Sequence, residues 1–334
     1  MKPLLSVQNL TMSFDTFSGE VQAVNGINFE VFPGEAVGIV GESGCGKSAT
    51  AHAIMRLIPT PPGRYKNGKI LFNGTDLLQK TEKEMTKIRG NTISMIFQDP
   101  MTSLNPVLTI GRQIAESLEL HQQMTKQQAY DRAVELLNLV GIPQPRKRLK
   151  NYPHQFSGGM RQRVMVAMAL ACNPKLLLAD EPTTALDVTI QAQIIDLLKD
   201  LQATLETSII FISHDLGAVA QFCNRVMVMY AGKIVETGTV TDMFHSPGHP
   251  YTRGLLQSLP RLDNGEKKRL TVIDGQPPNL LDVPSGCSFH PRCPHAMQIC
   301  CQEQPEPTLL SPQHTVTCWL QHSDAPKPQR EVGK

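Results

Sequence analysis

The sequence predicts an α/β fold organised round a phosphate-binding loop, and three observations carry that prediction. First, Gly41-Glu42-Ser43-Gly44-Cys45-Gly46-Lys47-Ser48 has the form G-x-x-x-x-G-K-[ST]. It sits between an apolar run, Glu35 to Val40, and a helical stretch, Ala49 to Leu57, the strand–loop–helix setting that a phosphate loop requires. Second, three later apolar runs each end on a polar side chain: Thr92 to Phe97 on Gln98, Leu176 to Ala179 on Asp180-Glu181, and Ser208 to Ser213 on His214. Third, residues 4–32 alternate apolar and polar, as an antiparallel layer with one covered face does.

The antiparallel layer comes first, through Leu5, Val7 and Leu10 and then Val21 to Val31, with a turn at Phe17-Ser18-Gly19. Phe14 lies on its first stretch. It is a candidate to stack on an adenine ring, and equally a candidate for plain core packing. In the loop that follows, glycines let successive backbone N–H groups turn inward on an anion, and the helix start adds partial positive charge. Lys47 is placed to reach the β- and γ-phosphates and Ser48 to coordinate Mg²⁺.

Residues 69–72 and 92–97 read as strands, and Gln98 opens the loop Gln98 to Pro106. A polar residue at a strand end is a common ligand contact in α/β folds, although by itself it is more often a solvated loop residue. Residues 108–170 read as largely helical, with one apolar face on Ile110, Ile114, Leu118 and Leu120 and another on Ala133, Leu136, Leu137 and Val140. Ser157, followed by Gly158 and Gly159, is a good N-cap for a helix over 164–171 and makes a second anion-ready helix start. In a phosphate-loop protein the buried Asp180 holds Mg²⁺ through water, and Glu181 is placed to polarise an attacking water. Thr184 to Asp187 turns into a helix over 190–201, and residues 225–238 read as a hairpin turning at Ala231-Gly232.

Taken together, these motifs resemble the nucleotide-binding subunit of ATP-binding cassette (ABC) transporters over residues 5–240. The loop Gly41 to Ser48, Gln98, Ser157-Gly158-Gly159, Asp180-Glu181, Ala185-Leu186-Asp187 and His214 follow that family's order. Within it, the stretches 98–106, Tyr152 to Met160 and His249 to Thr252 are similar to the dipeptide and oligopeptide importers, whose close relatives import nickel. The resemblance implies a P-loop NTPase cassette with a RecA-like core, an antiparallel β-subdomain and a helical subdomain. The cassette would span 1–260, its helical part about 101–170, with a C-terminal extension over 261–334.

The resemblance also implies a mechanism. Two cassettes sandwich two ATP molecules, so Ser157, Gly158 and Gly159 bind the partner's γ-phosphate and Asp187 belongs to the loop facing the partner. Glu181 is the base and His214 holds the γ-phosphate. Gln98, expected at the nucleotide and Mg²⁺, links the site to the permeases. The implied partners are a second, homologous ATPase subunit, two permeases and an extracytoplasmic peptide-binding protein, on the cytoplasmic face of the membrane. Two positions depart from the usual signature: Phe156 stands where Leu is common and Met160 where Gln is common, and Met cannot supply the hydrogen bonds of Gln.

Composition narrows the classes. A net charge of +2 is too small to argue for nucleic acid. No apolar run approaches the roughly 20 residues that span a bilayer, and Met1 to Ser6 lack the apolar core of a secretory signal. The competing class is a soluble cassette ATPase, but the chain has one cassette and no sustained heptads. A phosphate-loop kinase would have no use for Ser157-Gly158-Gly159.

Beyond Pro260 the chain turns charged and proline-rich (Asn264 to Arg269, Gln276 to Pro278) and then cysteine-rich. Cys287, Cys293, Cys300 and Cys318 enclose five, six and seventeen residues. Without a secretory signal such a cluster reads as metal binding, with a [4Fe–4S] cluster, structural zinc and free thiols as the choices. The wide spacing and the likeness to the tail of some dipeptide-permease ATPases favour the [4Fe–4S] cluster over zinc. Cys301 is the surplus thiol, and His290 and His295 read as surface residues.

Overall fold

The computed structural model describes residues 2–184, 187–259, 273–323 and 325. Ala185, Leu186 and the stretch Asn264 to Arg269 lie outside the described residues.

Twelve strands run through the chain: β1 Leu5–Thr16, β2 Gly19–Val31, β3 Ala36–Val40, β4 Gly63–Phe72, β5 Thr75–Asp76, β6 Ile93–Ile96, β7 Leu176–Asp180, β8 Ser208–Ser213, β9 Arg225–Tyr230, β10 Lys233–Thr239, β11 Thr308–Ser311 and β12 His314–Val316. They form two sheets, one ordered β2-β1-β4-β5 and the other β11-β12-β10-β9-β3-β8-β7-β6. The first is the antiparallel layer expected at the N-terminus, with Leu5 opposite Val31 and Thr16 opposite Gly19.

In the second sheet β9, β3, β8, β7 and β6 are parallel. Every residue of β3, β6, β7 and β8 is buried, which is why these segments read as unbroken apolar runs. Side chains alternate between the two faces. Leu177, Ala179 and Phe211 pack with the helices that follow β6 and β7, whereas Leu176, Leu178 and Ile210 pack with the N-terminal layer.

Helices Ile110–Gln122, Lys126–Leu139 and Gly158–Leu170 occupy the predicted helical stretch. Leu120 is a correction: it is 64% exposed. Ile110, Ile114 and Leu118 follow the four-residue spacing of one helix face, and a residue two positions on points across the axis.

The C-terminal extension is tied into the cassette. β12 pairs with β10, Glu236 opposite Val316, and β11 adds outside it. Glu236, 1% exposed, accepts hydrogen bonds from the Gly248 and His249 amides at 2.7 and 2.9 Å and stands 2.7 Å from His314 Nε2. Beside it Tyr230, Tyr251 and Phe289 form an aromatic cluster with ring centroids 4.6 to 5.4 Å apart. Strand pairing, a buried carboxylate and aromatic rings therefore tie this segment to the cassette.

Candidate functional site

The site lies where the parallel strands end. Val40 pairs with Ser213 and Asp180 with Ile212, so the loops after β3, β7 and β8 leave the sheet on one edge, the crevice where open α/β sheets hold ligands. The loop after β6 ends there too.

Helix Lys47–Ile54 starts from Gly46, which has φ 107°, and a Cβ at Gly46 would stand 2.2 Å from the Ala23 carbonyl oxygen. Both the left-handed backbone and the close approach demand glycine. Lys47, 4% exposed, donates to the Gly41 and Glu42 carbonyls at 2.9 and 3.0 Å, so its ammonium lies across the loop mouth. Ser43 and Gly44 are exposed at the rim, while Cys45 is buried under it and burial raises its thiol pKa.

Asp180 is 2% exposed and accepts a hydrogen bond from the Ser48 hydroxyl at 2.9 Å. Burial raises its pKa, partly offset by that hydroxyl. His52 Nε2 stands 4.0 Å from the other carboxylate oxygen. A hydroxyl and a buried carboxylate set side by side are hard oxygen donors, a set that fits Mg²⁺.

Glu181 follows with φ 46°, a left-handed conformation uncommon for a side chain of this kind, held by its amide's bond to the Ile212 carbonyl at 2.9 Å. Its Oε2 accepts from Gln98 Nε2 at 3.0 Å and Thr184 Oγ1 at 2.8 Å, and His214 Nδ1 is 3.4 Å away. Its Oε1 is 4.0 Å from the Lys47 ammonium. Lys47, Ser48, Gln98, Asp180, Glu181 and His214, scattered over 168 positions of sequence from 47 to 214, thus surround one space.

The remaining expected residues stand elsewhere. Ser157 caps helix Gly158–Leu170, accepting from the Met160 amide at 3.3 Å, with Ser157 and Gly158 exposed. Its described hydrogen bonds run to Met160 and Arg161. Asp187 caps helix Val188–Leu205 through the Ile190 amide. Phe14 is half-buried against the N-terminal layer and keeps both of its readings. Phe156 is buried in the core, and Met160 packs partly against it.

Two comparisons with known families bear on these residues. Residues 24–184 match the family described as ABC transporter, and residues 235–300 match the oligopeptide/dipeptide transporter C-terminal region. The chain is 59% identical to the oligopeptide transport ATP-binding protein OppD of Bacillus subtilis, covering 97% of this chain and 90% of that one. It belongs to the ATPase subunits of the oligopeptide/dipeptide ABC transporter family.

The cassette is also 56% identical to the dipeptide transport ATP-binding protein DppD of Bacillus subtilis, over 97% of each chain. The dimeric post-hydrolysis structure of the MJ0796 cassette, bound to ADP and Pi, superposes with a TM-score of 0.64 at 28% identity, covering 71% of this chain and 98% of that one. No helix among the described residues of the cassette is long and apolar enough to cross a membrane.

The four cysteines proposed as metal ligands are gathered but not closed into a site. Cys287, Cys300 and Cys318 are buried and Cys293 is half-buried. Burial pushes the Cys318 thiol up to about 12, with Cys287, Cys293 and Cys300 close enough to add to it. The Met297 amide donates to Cys300 Sγ at 3.5 Å. Among the described residues, however, no three His, Cys, Asp or Glu side chains stand as a metal-binding group, so the geometry does not meet the expectation of a [4Fe–4S] or zinc site.

Four residues of the site lay outside the sequence reading as individuals. Thr184 carried no signal beyond its turn, and His52 none beyond its helix. Tyr251, whose hydroxyl accepts from the Glu42 amide at 2.8 Å, lay inside a stretch noted only for its resemblance. Arg292 was a basic residue beside a cysteine, and it grips Glu42 with 2.6 and 3.0 Å contacts.

Proposed function

We propose that this cassette hydrolyses ATP to energise peptide import through separate permease subunits, with Glu181 as the base. The observation that carries the proposal is the setting of Glu181. Three polar side chains orient one of its oxygens, and the other faces the lysine of the phosphate loop. The loop amides and Lys47 bind the β- and γ-phosphates, and Ser48 and Asp180 hold Mg²⁺, which would neutralise charge on the phosphates. Glu181 takes a proton from water as its oxygen bonds to the γ-phosphorus, and the bond to the ADP oxygen breaks. His214 and Gln98 keep the carboxylate aimed, and His214 contacts the γ-phosphate.

Ser157, Gly158 and Gly159 serve the nucleotide of a facing cassette, which we take to be a homologue rather than a copy. The outward position of Ser157 and the dimeric state of the MJ0796 cassette support that reading. Residues 1–260 act as the cassette, with 101–170 as its helical part, and 261–334 as the extension. A peripheral position on the cytoplasmic face, held by two permeases and supplied by a peptide-binding protein, follows from the peptide-transport relatives. We also assign Cys287, Cys293, Cys300 and Cys318 to a [4Fe–4S] cluster, on the strength of their spacing in the sequence and the amide directed at Cys300 Sγ; ligation would have to draw the four thiols closer together than they stand.

Glu181→Gln tests the central assignment. It keeps the shape of the side chain and removes its basicity. Steady-state hydrolysis should fall at least about a hundred-fold while MgATP stays bound in a closed pair of cassettes. Parent-rate hydrolysis by the variant would transfer the role of base to another group.

A further inference from the structure

We propose that Arg292, from the C-terminal extension, is a positioning residue for the phosphate loop: it neutralises and fixes Glu42 so that the loop accepts the triphosphate. The inference rests on the nucleotide site described above.

Glu42 is the second residue of the loop. A free carboxylate there would set negative charge beside the phosphates. Arg292 meets it with both terminal nitrogens, Nη1 donating to Oε2 at 2.6 Å and Nη2 to Oε1 at 3.0 Å, the parallel fork that only arginine provides. The Arg292 side chain is 5% exposed, so water screens the pair poorly.

The guanidinium is itself held in place. Nε donates to the Asp274 carbonyl at 3.0 Å, Nη2 to the Ile273 carbonyl at 3.4 Å and Nη1 to the Tyr230 hydroxyl at 3.4 Å. Its carbon lies 5.9 Å from the centroid of the Tyr230 ring. From the same side, the Tyr251 hydroxyl takes up the Glu42 amide. The segment after β10 therefore grips both the main chain and the side chain of one loop residue. Nothing in the chemistry of hydrolysis requires this contact; it acts on binding.

Three full-length variants, titrated with MgATP, test the proposal. Arg292→Ala should weaken MgATP binding roughly ten-fold, as expected for loss of a charge-assisted pair, raising KM more than it lowers kcat. Arg292→Lys should fall between the two, because it keeps the charge and loses the fork. Adding Glu42→Gln to Arg292→Ala should restore most of the affinity, because it removes the exposed charge. A merely structural Arg292 would leave the double variant as weak as the single one, and that result overturns the proposal. So does an Arg292→Ala protein that binds MgATP like the parent. If Arg292→Ala does not fold, Arg292→Gln, which keeps most of the bulk and loses the charge, gives the same contrast with and without Glu42→Gln. A parent chain that fails to bind MgATP would defeat the nucleotide site itself and leave a separate signature.

Discussion

A carboxylate with 2% exposure, as in Asp180, has lost most of its hydration, and one hydroxyl at 2.9 Å replaces little of it. That imbalance shows in its raised pKa, for which burial is the largest cause. The native state therefore keeps the proton to higher pH than the unfolded chain does. Between the ordinary Asp value of 3.8 and the raised one the native state binds more protons, so stability drains away as pH rises, and the loss is complete above the native value. Asp180→Asn removes the charge and keeps the shape. In scanning fluorimetry the nucleotide-free variant should melt above the parent near neutral pH, with the gap closing as pH falls below the ordinary Asp range. The same variant should lose Mg²⁺-dependent hydrolysis, since an amide oxygen is a poor substitute for a carboxylate on a hard cation. A parent that melts at or above the variant near neutral pH would show that Ser48, His52 and Lys47 already offset the burial. Such a residue is legible in sequence because its neighbours are apolar and it is not: Leu176 to Ala179 admit no polar group without a purpose. Arg292 had no such contrast around it, and only the fold shows that its partner lies 250 positions earlier.

At the scale of elements, the parallel strands and the capped helices were readable, because unbroken apolar runs and Ser or Thr caps are local signals. The helix cap at Ser157 and the strand ends at Asp180 and Ser213 fell where the pattern placed them, whereas β6 stops at Ile96, two residues before Gln98. The tail was harder. β11 and β12 are four and three residues long, and β11 is half-buried or exposed, so neither carries a strong periodic pattern. What docks them is the buried Glu236, whose three partners lie 12, 13 and 78 positions away. Such a network cannot be seen in a linear pattern. It also changes what the cysteines are needed for. With the extension held by Glu236 and the aromatic cluster, a bound cluster would add to a fold already formed. Chain purified without oxygen should then carry about four irons and be brown, and removing the iron should leave a cooperatively folded cassette. Iron and zinc analysis alongside circular dichroism checks both parts: a colourless, zinc-loaded or metal-free preparation would end the [4Fe–4S] assignment. Loss of the fold on removing iron would instead make the cluster a structural staple for the extension.

On the scale of the whole molecule, the described groups divide into two surfaces. Lys47, Ser48, Asp180, Glu181 and His214 converge at one edge of the sheet, while Ser157 and Gly158 are exposed with their hydrogen bonds turned to their own helix. A helix start with a bare glycine amide is an anion site only if something presents the anion, and in the proposed pairing a facing cassette would present it. Gly159 shows how little room there is behind it: an added Cβ would stand 2.9 Å from a methyl of Ile190, in the helix that Asp187 caps. The signature and the helix that Asp187 caps are thus packed on each other and would move as one face toward a facing cassette. Ser157→Arg separates the two surfaces. The isolated chain should bind MgATP within about two-fold of the parent, because its own loop is untouched. Hydrolysis by the assembled transporter should fall at least about a hundred-fold, the cost expected when donors aimed at transition-state charge are lost. Mixing one Ser157→Arg cassette with one Glu181→Gln cassette sharpens the test. If each signature serves the opposite nucleotide, one composite site loses both functions and the other keeps both, so the outcome depends on which cassette carries which change. Should Ser157→Arg instead weaken nucleotide binding by the lone chain, the signature would be acting on its own loop, and the paired arrangement would have to be abandoned.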